Sequence, residues 1–354
     1  MLLLLLILIA VSIPITGCAK HPFDEDVWTK KVLSADASLL YADHTDENGL
    51  FFNPWMPREA GSGILKALSR RAVQRDNISD FPVDKYLAVE NSYEYLSDNS
   101  RNRISFAGHA SFIIQMDGSV IFTDPFFSGR ALIVKKKVKT AFDFNKTPEK
   151  PVALISHNHY DHLDEYSVKE LIKKDAVFIV PLKLKNFLIK LGAKRVYELD
   201  WWEEKVIDGI KYTFLPSQHW SRRLWQPAGA TLWGGYLIEG SSSIYFSGDS
   251  GYFVGYKEFG KKFSIDYALL GVGAYLPRWF MHYAHQNVSE FFRAVDDLGA
   301  KTTIPMHLGV IQLGNEPVLY PLYEIDKFID KNPEYRNRVT PLRVGEYIVR
   351  ELYR

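Results

Sequence analysis

The sequence predicts an α/β fold of the α+β class, in which two kinds of segment alternate along a chain of 354 residues. Short apolar runs such as 151–155 are typical of buried strands, and longer mixed runs such as 164–174 are typical of helices. The chain has no internal repeat and no low-complexity linker. One large domain is therefore the economical interpretation.

The strands are predicted to begin near Arg103 and to continue toward the carboxyl terminus. The predicted strands are 104–108, 111–116, 120–123, 151–155 and a last one near 347–352. The predicted helices are 27–42, 63–74, 164–174, 182–191, 251–259, 287–298 and 317–330, with Asp164 as an N-cap. Residues 18–100 carry little chemistry, and we interpret them as a segment that wraps the main domain at 101–354.

The segment His157–His162 carries the densest chemical signal, with the sequence His-Asn-His-Tyr-Asp-His. As core residues, three imidazoles in six positions would each need a buried hydrogen-bond partner. Imidazole and carboxylate together suit a borderline divalent metal such as zinc. Because a strand precedes the segment, His157 and His159 should lie on one side, and a turn can return Asp161 and His162 toward a second position. The sequence therefore predicts a metal site.

Three further residues at strand ends are candidate ligands. His219, Asp249 and His307 each follow an apolar run. Taken singly, each could be an ordinary turn or strand-end residue. Together with the first motif they supply seven ligands, enough for two ions with an open bridging position. A carboxylate shared by both ions is a common bridge, and Asp249 suits that part.

The order of these motifs resembles the metallo-β-lactamase superfamily, and further stretches resemble its N-acyl-phosphatidylethanolamine phospholipase D branch. The most branch-specific stretch is Gly273–Met281. The others are Phe52–Trp55, Phe106–Ala110, Thr123–Ser128, Glu198–Glu204, Pro216–Trp220, Leu232–Gly234 and Ser247–Tyr252. The tryptophan-rich stretches separate this branch from lactonases, glyoxalases and nucleases.

The resemblance implies an αββα sandwich, with two central mixed β-sheets flanked by helices and two zinc ions per chain. The ligands implied for one ion are His157, His159 and His219. Those implied for the other are Asp161, His162 and His307, with Asp249 bridging the two ions. A hydroxide between the ions would attack phosphorus, with Asp161 and Asp249 in the catalytic centre.

Residues around the ligands are assigned by the same resemblance. Asp124 and His109 would orient metal ligands, with a turn cap before Pro125 as the alternative for Asp124. His285 would lie near the metals without binding them, and it would protonate the leaving group or orient the substrate. The candidate substrate contacts are Tyr160, Arg222, Arg223, Tyr275 and Trp279, although a solvated loop is an equal alternative for the two arginines.

The implied activity is that of a phospholipase D-type phosphodiesterase, which converts N-acyl-phosphatidylethanolamine to phosphatidic acid and N-acylethanolamine. Animal enzymes of the branch carry a Gln-Tyr pair shortly after the Thr-Asp-Pro stretch, and residues 130–135 lack it. Other glycerophospholipids therefore stay open as substrates. The alternatives are a lactonase or esterase acting on a small phosphorylated or sugar substrate, and a non-catalytic envelope lipoprotein.

The first residues predict the location of the chain. An apolar run over 1–17 precedes Cys18, the only cysteine, and resembles a bacterial lipoprotein signal with lipidation at Cys18. An uncleaved anchor is the alternative, because the leader lacks Lys and Arg. We expect a lipid-anchored protein of the bacterial cell envelope, on the periplasmic side of the outer membrane. No intrachain disulfide can form with one cysteine.

Charge distribution limits the possible partners. The net charge of +1 provides no overall basic field, which argues against a nucleic-acid partner. The partners that we expect are a phospholipid substrate and a membrane surface, and a homodimer stays open. Lys135–Lys137 form the one sharp basic cluster, for which a solvated loop and contact with anionic headgroups are the two interpretations.

Overall fold

The computed structural model describes residues 23–58, 78, 81–91, 93–98, 101–138 and 142–349. Two mixed β-sheets share one core and are flanked by helices, so the predicted αββα class is confirmed. The predicted helix at 63–74 and the leader with Cys18 lie outside the described residues. No helix within the described ranges is long and apolar enough to cross a bilayer.

The first sheet contains seven strands. They are β1 (Arg103–Gly108), β2 (Ser111–Met116), β3 (Ser119–Thr123), β6 (Val152–Leu154), β7 (Val177–Pro181), β8 (Arg195–Leu199) and β15 (Tyr347–Val349). Their order in space is β15-β1-β2-β3-β6-β7-β8. The pairs from β15 to β3 are antiparallel, and those from β3 to β8 are parallel. The predicted meander and the strand before the histidine motif are thus present.

The second sheet contains six strands. They are β9 (Glu204–Ile207), β10 (Ile210–Leu215), β11 (Gly235–Glu239), β12 (Ser243–Phe246), β13 (Tyr267–Gly271) and β14 (Thr302–Met306). Their order is β14-β13-β12-β11-β10-β9, and only the pairs β12–β13 and β13–β14 are parallel. A separate hairpin is formed by β4 (Arg130–Ala131) and β5 (Val134–Lys135).

Seven α-helices lie in the described ranges. They are α1 (Glu25–Leu33), α2 (Glu165–Lys173), α3 (Lys185–Lys190), α4 (Gly255–Lys262), α5 (Arg278–Met281), α6 (Val288–Leu298) and α7 (Tyr320–Lys331). The helix predicted over 27–42 is broken. It ends at Leu33, and Asp36 caps a separate 3-10 turn by accepting from the backbone N–H of Ser38. Short polar side chains such as Asp36 compete in this way with helix propagation.

The strands divide their side chains between two cores. In β7, Val177 and Ile179 belong to the core between the sheets, whereas Phe178 and Val180 pack under α2 and α3. This alternation follows from the period of two in a strand and explains why β7 is apolar along its whole length. Trp28 and Trp55 of the N-terminal segment join the core between the sheets.

The sheet directions place several loops at one edge of the sandwich. Strands β1, β3 and β6 run in one direction in the first sheet, and β10, β12 and β14 run in one direction in the second. The two edges are joined where the backbone N–H of His109 donates to Leu308 O at 2.9 Å and that of His307 donates to His109 O at 2.8 Å. The residues that follow all six strands therefore meet at this edge.

Candidate metal centre

The histidine motif occupies a tight loop between β6 and α2. The carbonyl of His159 accepts from the backbone N–H of His162 at 3.2 Å and from that of Leu163 at 2.8 Å. This turn reverses the chain after His159 and directs Asp161 and His162 back under the strand end. The two halves of the motif consequently face two neighbouring positions.

The first position is defined by three imidazoles. His159 Nδ1 lies 2.8 Å from His157 Nε2 and 3.2 Å from His219 Nε2. The other ring nitrogen of His219 donates to the carbonyl of Ala284 at 3.2 Å. The lone pair of His219 Nε2 is therefore directed at His159 and is available to a metal. We refer to His157, His159 and His219 as the histidine triad.

The second position is defined by Asp161, His162, His307 and His109, whose ligand atoms lie within 4.8 Å of one another. Asp161 Oδ2 is 3.2 Å from His162 Nε2 and 3.9 Å from His307 Nε2. His109 Nε2 lies 2.8 Å from the same oxygen. His109 is therefore placed to orient Asp161 by a hydrogen bond, which is the role that the resemblance implies. It is also close enough to the other donor atoms to bind a metal itself.

Asp249 lies between the two positions. Its Oδ2 atom is 3.1 Å from His307 Nε2, 3.2 Å from His162 Nε2, 3.7 Å from His219 Nε2 and 3.9 Å from His157 Nε2. One carboxylate oxygen thus faces imidazoles from both halves of the site. This is the placement that a bridging ligand requires.

A chain of hydrogen bonds behind the ligands fixes their tautomers. Buried Asp124 accepts from His162 Nδ1 at 2.6 Å and from the Ser156 hydroxyl at 2.5 Å. Because the Ser156 proton points at Asp124, its oxygen accepts from His157 Nδ1 at 2.9 Å. Both imidazoles are thereby held with Nε2 free for a metal. Sequence reasoning missed Ser156, whose only signal is its position directly before the motif.

The donor atoms that face the centre lack other partners. His162 Nε2, His307 Nε2 and Asp249 Oδ1 are buried, and none of them has a hydrogen-bond partner among the residues that the structure describes. Buried polar atoms without partners cost free energy, so these three favour a bound group. A divalent cation fits, since every atom offered to the centre is a carboxylate oxygen or an imidazole nitrogen.

The electrostatics of the site favour a cation. Burial lowers the pKa of His159 to about 4 and holds the pKa of His157 and His219 well below its usual value, so these rings are neutral, as metal ligands must be. Burial also opposes a charge on His162, but nearby Asp249 and Asp161 outweigh it and raise the pKa of His162 well above its usual value. The same carboxylates would stabilise a metal ion.

His285 lies beside the candidate ligands. Its ring stacks on His307 with a centroid distance of 5.0 Å and contacts His219 edge-on at 5.4 Å. One of its nitrogens is also within 4.8 Å of ligand atoms of His219 and Asp249. Burial lowers the pKa of His285 to about 3, so the ring is neutral.

Two predicted substrate contacts are corrected by the structure. The Arg223 guanidinium donates to the carbonyls of Asn158 and Leu163 at 3.0 and 3.1 Å and pairs with Glu165 at 3.1 Å. It supports the histidine motif from behind and is not available to a phosphate. Tyr275 is also buried, with its hydroxyl donating to Glu324, so it is not available to contact substrate.

The other predicted contacts occupy more open positions. Arg222 is exposed, and Trp279 is half-buried. Tyr160 is half-buried, and its hydroxyl accepts from the backbone N–H of Leu224 at 3.2 Å, which ties the loop around Trp225 to the histidine motif. Whether Tyr160, Arg222 and Trp279 contact substrate stays a prediction.

The tryptophan-rich stretches hold the ligand loops. Asn53 donates to the carbonyl of His219 at 3.1 Å and accepts from Trp233 Nε1 at 3.1 Å. Trp55 Nε1 donates to Gln218 Oε1 at 2.5 Å, and its ring is buried. Trp55 therefore holds the loop that carries His219 and is not available to a lipid.

Arg58 is a candidate functional residue that sequence reasoning missed. Its guanidinium lies over the ring of Trp220 at 4.1 Å, and that ring contacts His159 with a centroid distance of 4.7 Å. Burial lowers the pKa of Arg58, and none of the described acidic residues pairs with it. No local pattern identifies Arg58, because Trp220 is distant along the chain.

Comparison with known proteins agrees with this geometry. A family model described as a beta-lactamase superfamily domain matches residues 120–308. The chain is 30% identical over 313 residues to N-acyl-phosphatidylethanolamine-hydrolyzing phospholipase D 1 of Caenorhabditis elegans, covering 82% of this chain and 88% of that protein. It is 32% identical over 226 residues to the mitochondrial protein of the same activity name from Saccharomyces cerevisiae, covering 59% of this chain and 48% of that protein.

A solved structure shares the fold. Igni18, a metallo hydrolase from the archaeon Ignicoccus hospitalis, superimposes with a TM-score of 0.54 at 20% identity, covering 72% of this chain and all of that one. At this level of identity the likeness extends to the arrangement of sheets and helices.

Proposed function

Because this chain belongs to the N-acyl-phosphatidylethanolamine phospholipase D-like branch of the metallo-β-lactamase superfamily, whose members are metal-dependent hydrolases, we propose that it cleaves a phosphodiester bond in a phospholipid. The leading substrate is N-acyl-phosphatidylethanolamine, and the expected products are phosphatidic acid and N-acylethanolamine. The names of the worm and yeast relatives support this choice.

The proposal depends above all on one observation, which is the convergence of four imidazole nitrogens on Asp249 Oδ2. The histidine triad would hold one divalent ion, which we propose to be zinc, and Asp161, His162 and His307 would hold a second. When bound, such a pair lowers the pKa of a bridging water and screens the charge of a phosphodiester. A protein that only bound a lipid would need no such paired donor set.

The chain's own residues supply the remaining parts of the reaction. We assign to Arg58 the binding of a phosphoryl oxygen, since a guanidinium matches phosphate geometry and the ring of Trp220 holds this one beside His159. We assign to His285 the transfer of a proton: its neutral ring would accept the proton that the attacking water releases and then donate it to the departing alkoxide oxygen. This half-buried imidazole contacts both His219 and His307, so it lies beside the candidate metal centre where water and the leaving group would be held.

Identification of the products tests the proposal directly. The metal-loaded protein would be given N-acyl-phosphatidylethanolamine in water enriched in heavy oxygen. We expect phosphatidic acid that carries the label, together with unlabelled N-acylethanolamine, because water attacks phosphorus and the headgroup oxygen leaves. Diacylglycerol as the main product would indicate a phospholipase C. No turnover of any phospholipid, with turnover of a lactone or sugar ester, would support the small-substrate alternative.

The variant His285→Ala tests proton donation. We expect turnover of the natural amide-linked headgroup to fall by about 100-fold while both metals stay bound, which is typical for loss of a general acid. The same variant should cleave a 4-nitrophenyl phosphodiester almost as fast as wild type, because 4-nitrophenolate departs without a proton. An equal loss on both substrates would contradict the assignment, and loss of metal would make His285 a ligand.

The variant Arg58→Ala tests phosphate binding. Loss of a charge-assisted hydrogen bond should lower kcat/KM by about 10- to 100-fold and weaken inhibition by inorganic phosphate to a similar extent. Arg58→Lys should recover part of the loss, because it keeps the charge without the planar fork. Arg336→Ala, which removes an exposed guanidinium paired with Asp330, is the matched control and should change neither value. Unchanged phosphate inhibition in Arg58→Ala would exclude this assignment.

We propose that the chain is a lipoprotein of the bacterial cell envelope, anchored through Cys18. This proposal rests on the leader sequence alone. Wild-type protein should incorporate labelled fatty acid and sediment with membranes, whereas Cys18→Ser should lose the label. Wild-type protein that takes up no label would refute lipidation and favour an uncleaved anchor.

A further inference from the structure

We propose that two apolar loop tips beside the metal centre dock the protein on a lipid bilayer that carries anionic headgroups. The hairpin tip consists of Leu132 and Ile133 between β4 and β5, and the tryptophan tip consists of Leu224 and Trp225. The choice of a bilayer rests on the phospholipid substrate proposed above. The surface itself follows from four features of these tips.

The first feature is the position of the hairpin tip. Its hairpin follows β3 and packs on the loop after β14, where the backbone N–H of Lys137 donates to Val310 O at 2.7 Å and Lys136 bridges to Ile311. His307 lies three residues before Val310. The hairpin therefore extends from the side of the site that contains His307.

The second feature is the position of the tryptophan tip. The adjoining Arg223 is fixed to the carbonyls of Asn158 and Leu163, and Leu224 N–H donates to the Tyr160 hydroxyl at 3.2 Å. This tip thus extends from the histidine motif, next to the histidine triad. The residues that adjoin the two tips are therefore anchored on the loop after His307 and on the histidine motif, which are the two halves of the candidate metal centre.

The third feature is that these tips are energetically unfavourable for the folded protein in water. Ile133 is 83% exposed and Trp225 is 99% exposed. Leu132 and Trp225 also have left-handed backbones, with φ of 51° and 66°. Glycine, asparagine and aspartate adopt this conformation at least cost, and large apolar residues rarely do. Neither burial nor turn geometry explains the residue types found here.

The fourth feature is charge. Arg130, Lys135 and Lys137 are exposed around the hairpin tip, and Arg222 is exposed beside the tryptophan tip. Apolar side chains that enter the acyl boundary and cations at the headgroup level are the two contributions to interfacial binding. A second copy of this chain would instead bring the same cations together, since a twofold interface pairs each surface with itself. This argues for a bilayer as the partner.

Site-specific fluorescence tests the surface independently of catalysis. In the metal-loaded full-length chain with Cys18→Ser, an environment-sensitive dye would be attached to Ile133→Cys, to Trp225→Cys or, as control, to Val206→Cys. Val206 is 55% exposed on edge strand β9. On addition of vesicles of phosphatidylethanolamine and phosphatidylglycerol we expect a blue shift at both tips, no shift at Val206, and weaker binding at high salt.

Other outcomes would overturn the proposal. Unshifted emission at both tips would exclude docking, and equal shifts at all three positions would indicate unspecific adsorption. A shift without vesicles that grows with protein concentration would mean that a second copy covers the tips.

A variant with an acidic residue at each tip links docking to turnover. Ile133→Asp combined with Trp225→Asp should lower the rate on vesicle phospholipid by about tenfold or more, equivalent to about 1.4 kcal/mol of lost binding. Its rate on a water-soluble phosphodiester should equal that of wild type. Equal vesicle rates for variant and wild type would refute the docking role. Wild type without any phosphodiesterase activity would refute the proposed function, and the fluorescence result would still decide the surface.

Discussion

Replacement of Asp249 by asparagine is expected to remove both metals and reduce turnover by at least about 1,000-fold, since metal chemistry contributes several kcal/mol to such reactions. Asp249 Oδ2 faces imidazoles from both halves of the site within 3.1–3.9 Å. A neutral amide would leave two cations without the shared negative charge that holds them together. Elemental analysis should give about two equivalents of divalent metal in wild type and well under one in the variant.

Asp164 provides the matched control for this variant. Its carboxylate is also buried and follows the same histidine motif, but it accepts from the backbone N–H groups of Phe127 and Ser128 and from the Ser167 hydroxyl. Asp164→Asn should therefore lower stability without lowering metal content. Near-wild-type metal content and activity in Asp249→Asn would show that Asp249 is not a ligand. Loss of metal in both variants would mean that misfolding, and not loss of a bridging ligand, removes the metal.

The sequence predicted the location of the candidate ligands because strand ends have a simple geometry. His219, Asp249 and His307 follow β10, β12 and β14 by a few residues. These strands run in the same direction in one sheet, so the three side chains had to emerge at one edge. The local pattern of apolar residues indicated only that each candidate follows a strand, and the family resemblance implied that the three share one site; their common direction is a property of the folded sheet.

Side-chain partners distant in sequence could not be predicted in the same way. Arg223 resembled a phosphate-binding residue because it follows His219, but its guanidinium pairs with Glu165, 58 positions away. Tyr275 lies in the most branch-specific stretch and binds Glu324, 49 positions away. Arg58 was missed for the complementary reason, because its contact with Trp220 exists only in the folded chain. Such choices depend on packing, which periodicity does not encode.

The burial of the paired donor set also makes metal a structural component, so chelation should have a large effect on stability. Without cations, one oxygen of Asp161 and one of Asp249 each lie 3.2 Å from His162 Nε2, and Asp249 Oδ1 keeps no hydrogen-bond partner among the described residues. A ligand present at about 1,000 times its dissociation constant contributes about 4 kcal/mol to the free energy of unfolding. At about 2–4 °C per kcal/mol for a domain of this class, Tm should fall by about 8 °C or more.

The Asp249→Asn variant separates this effect from general sensitivity to chelators. Thermal unfolding of wild type should shift downward with a chelator and return on addition of zinc, with activity following in parallel. Because Asp249→Asn should already lack metal, its Tm should be the same with and without chelator and close to that of stripped wild type. An unchanged Tm in stripped wild type would mean that the donor set folds without cations. Zinc could restore the Tm of stripped wild type without restoring its activity. That result would mean that the same ligands use a different metal for catalysis, because the metal that a site binds most tightly need not be the one that reacts fastest.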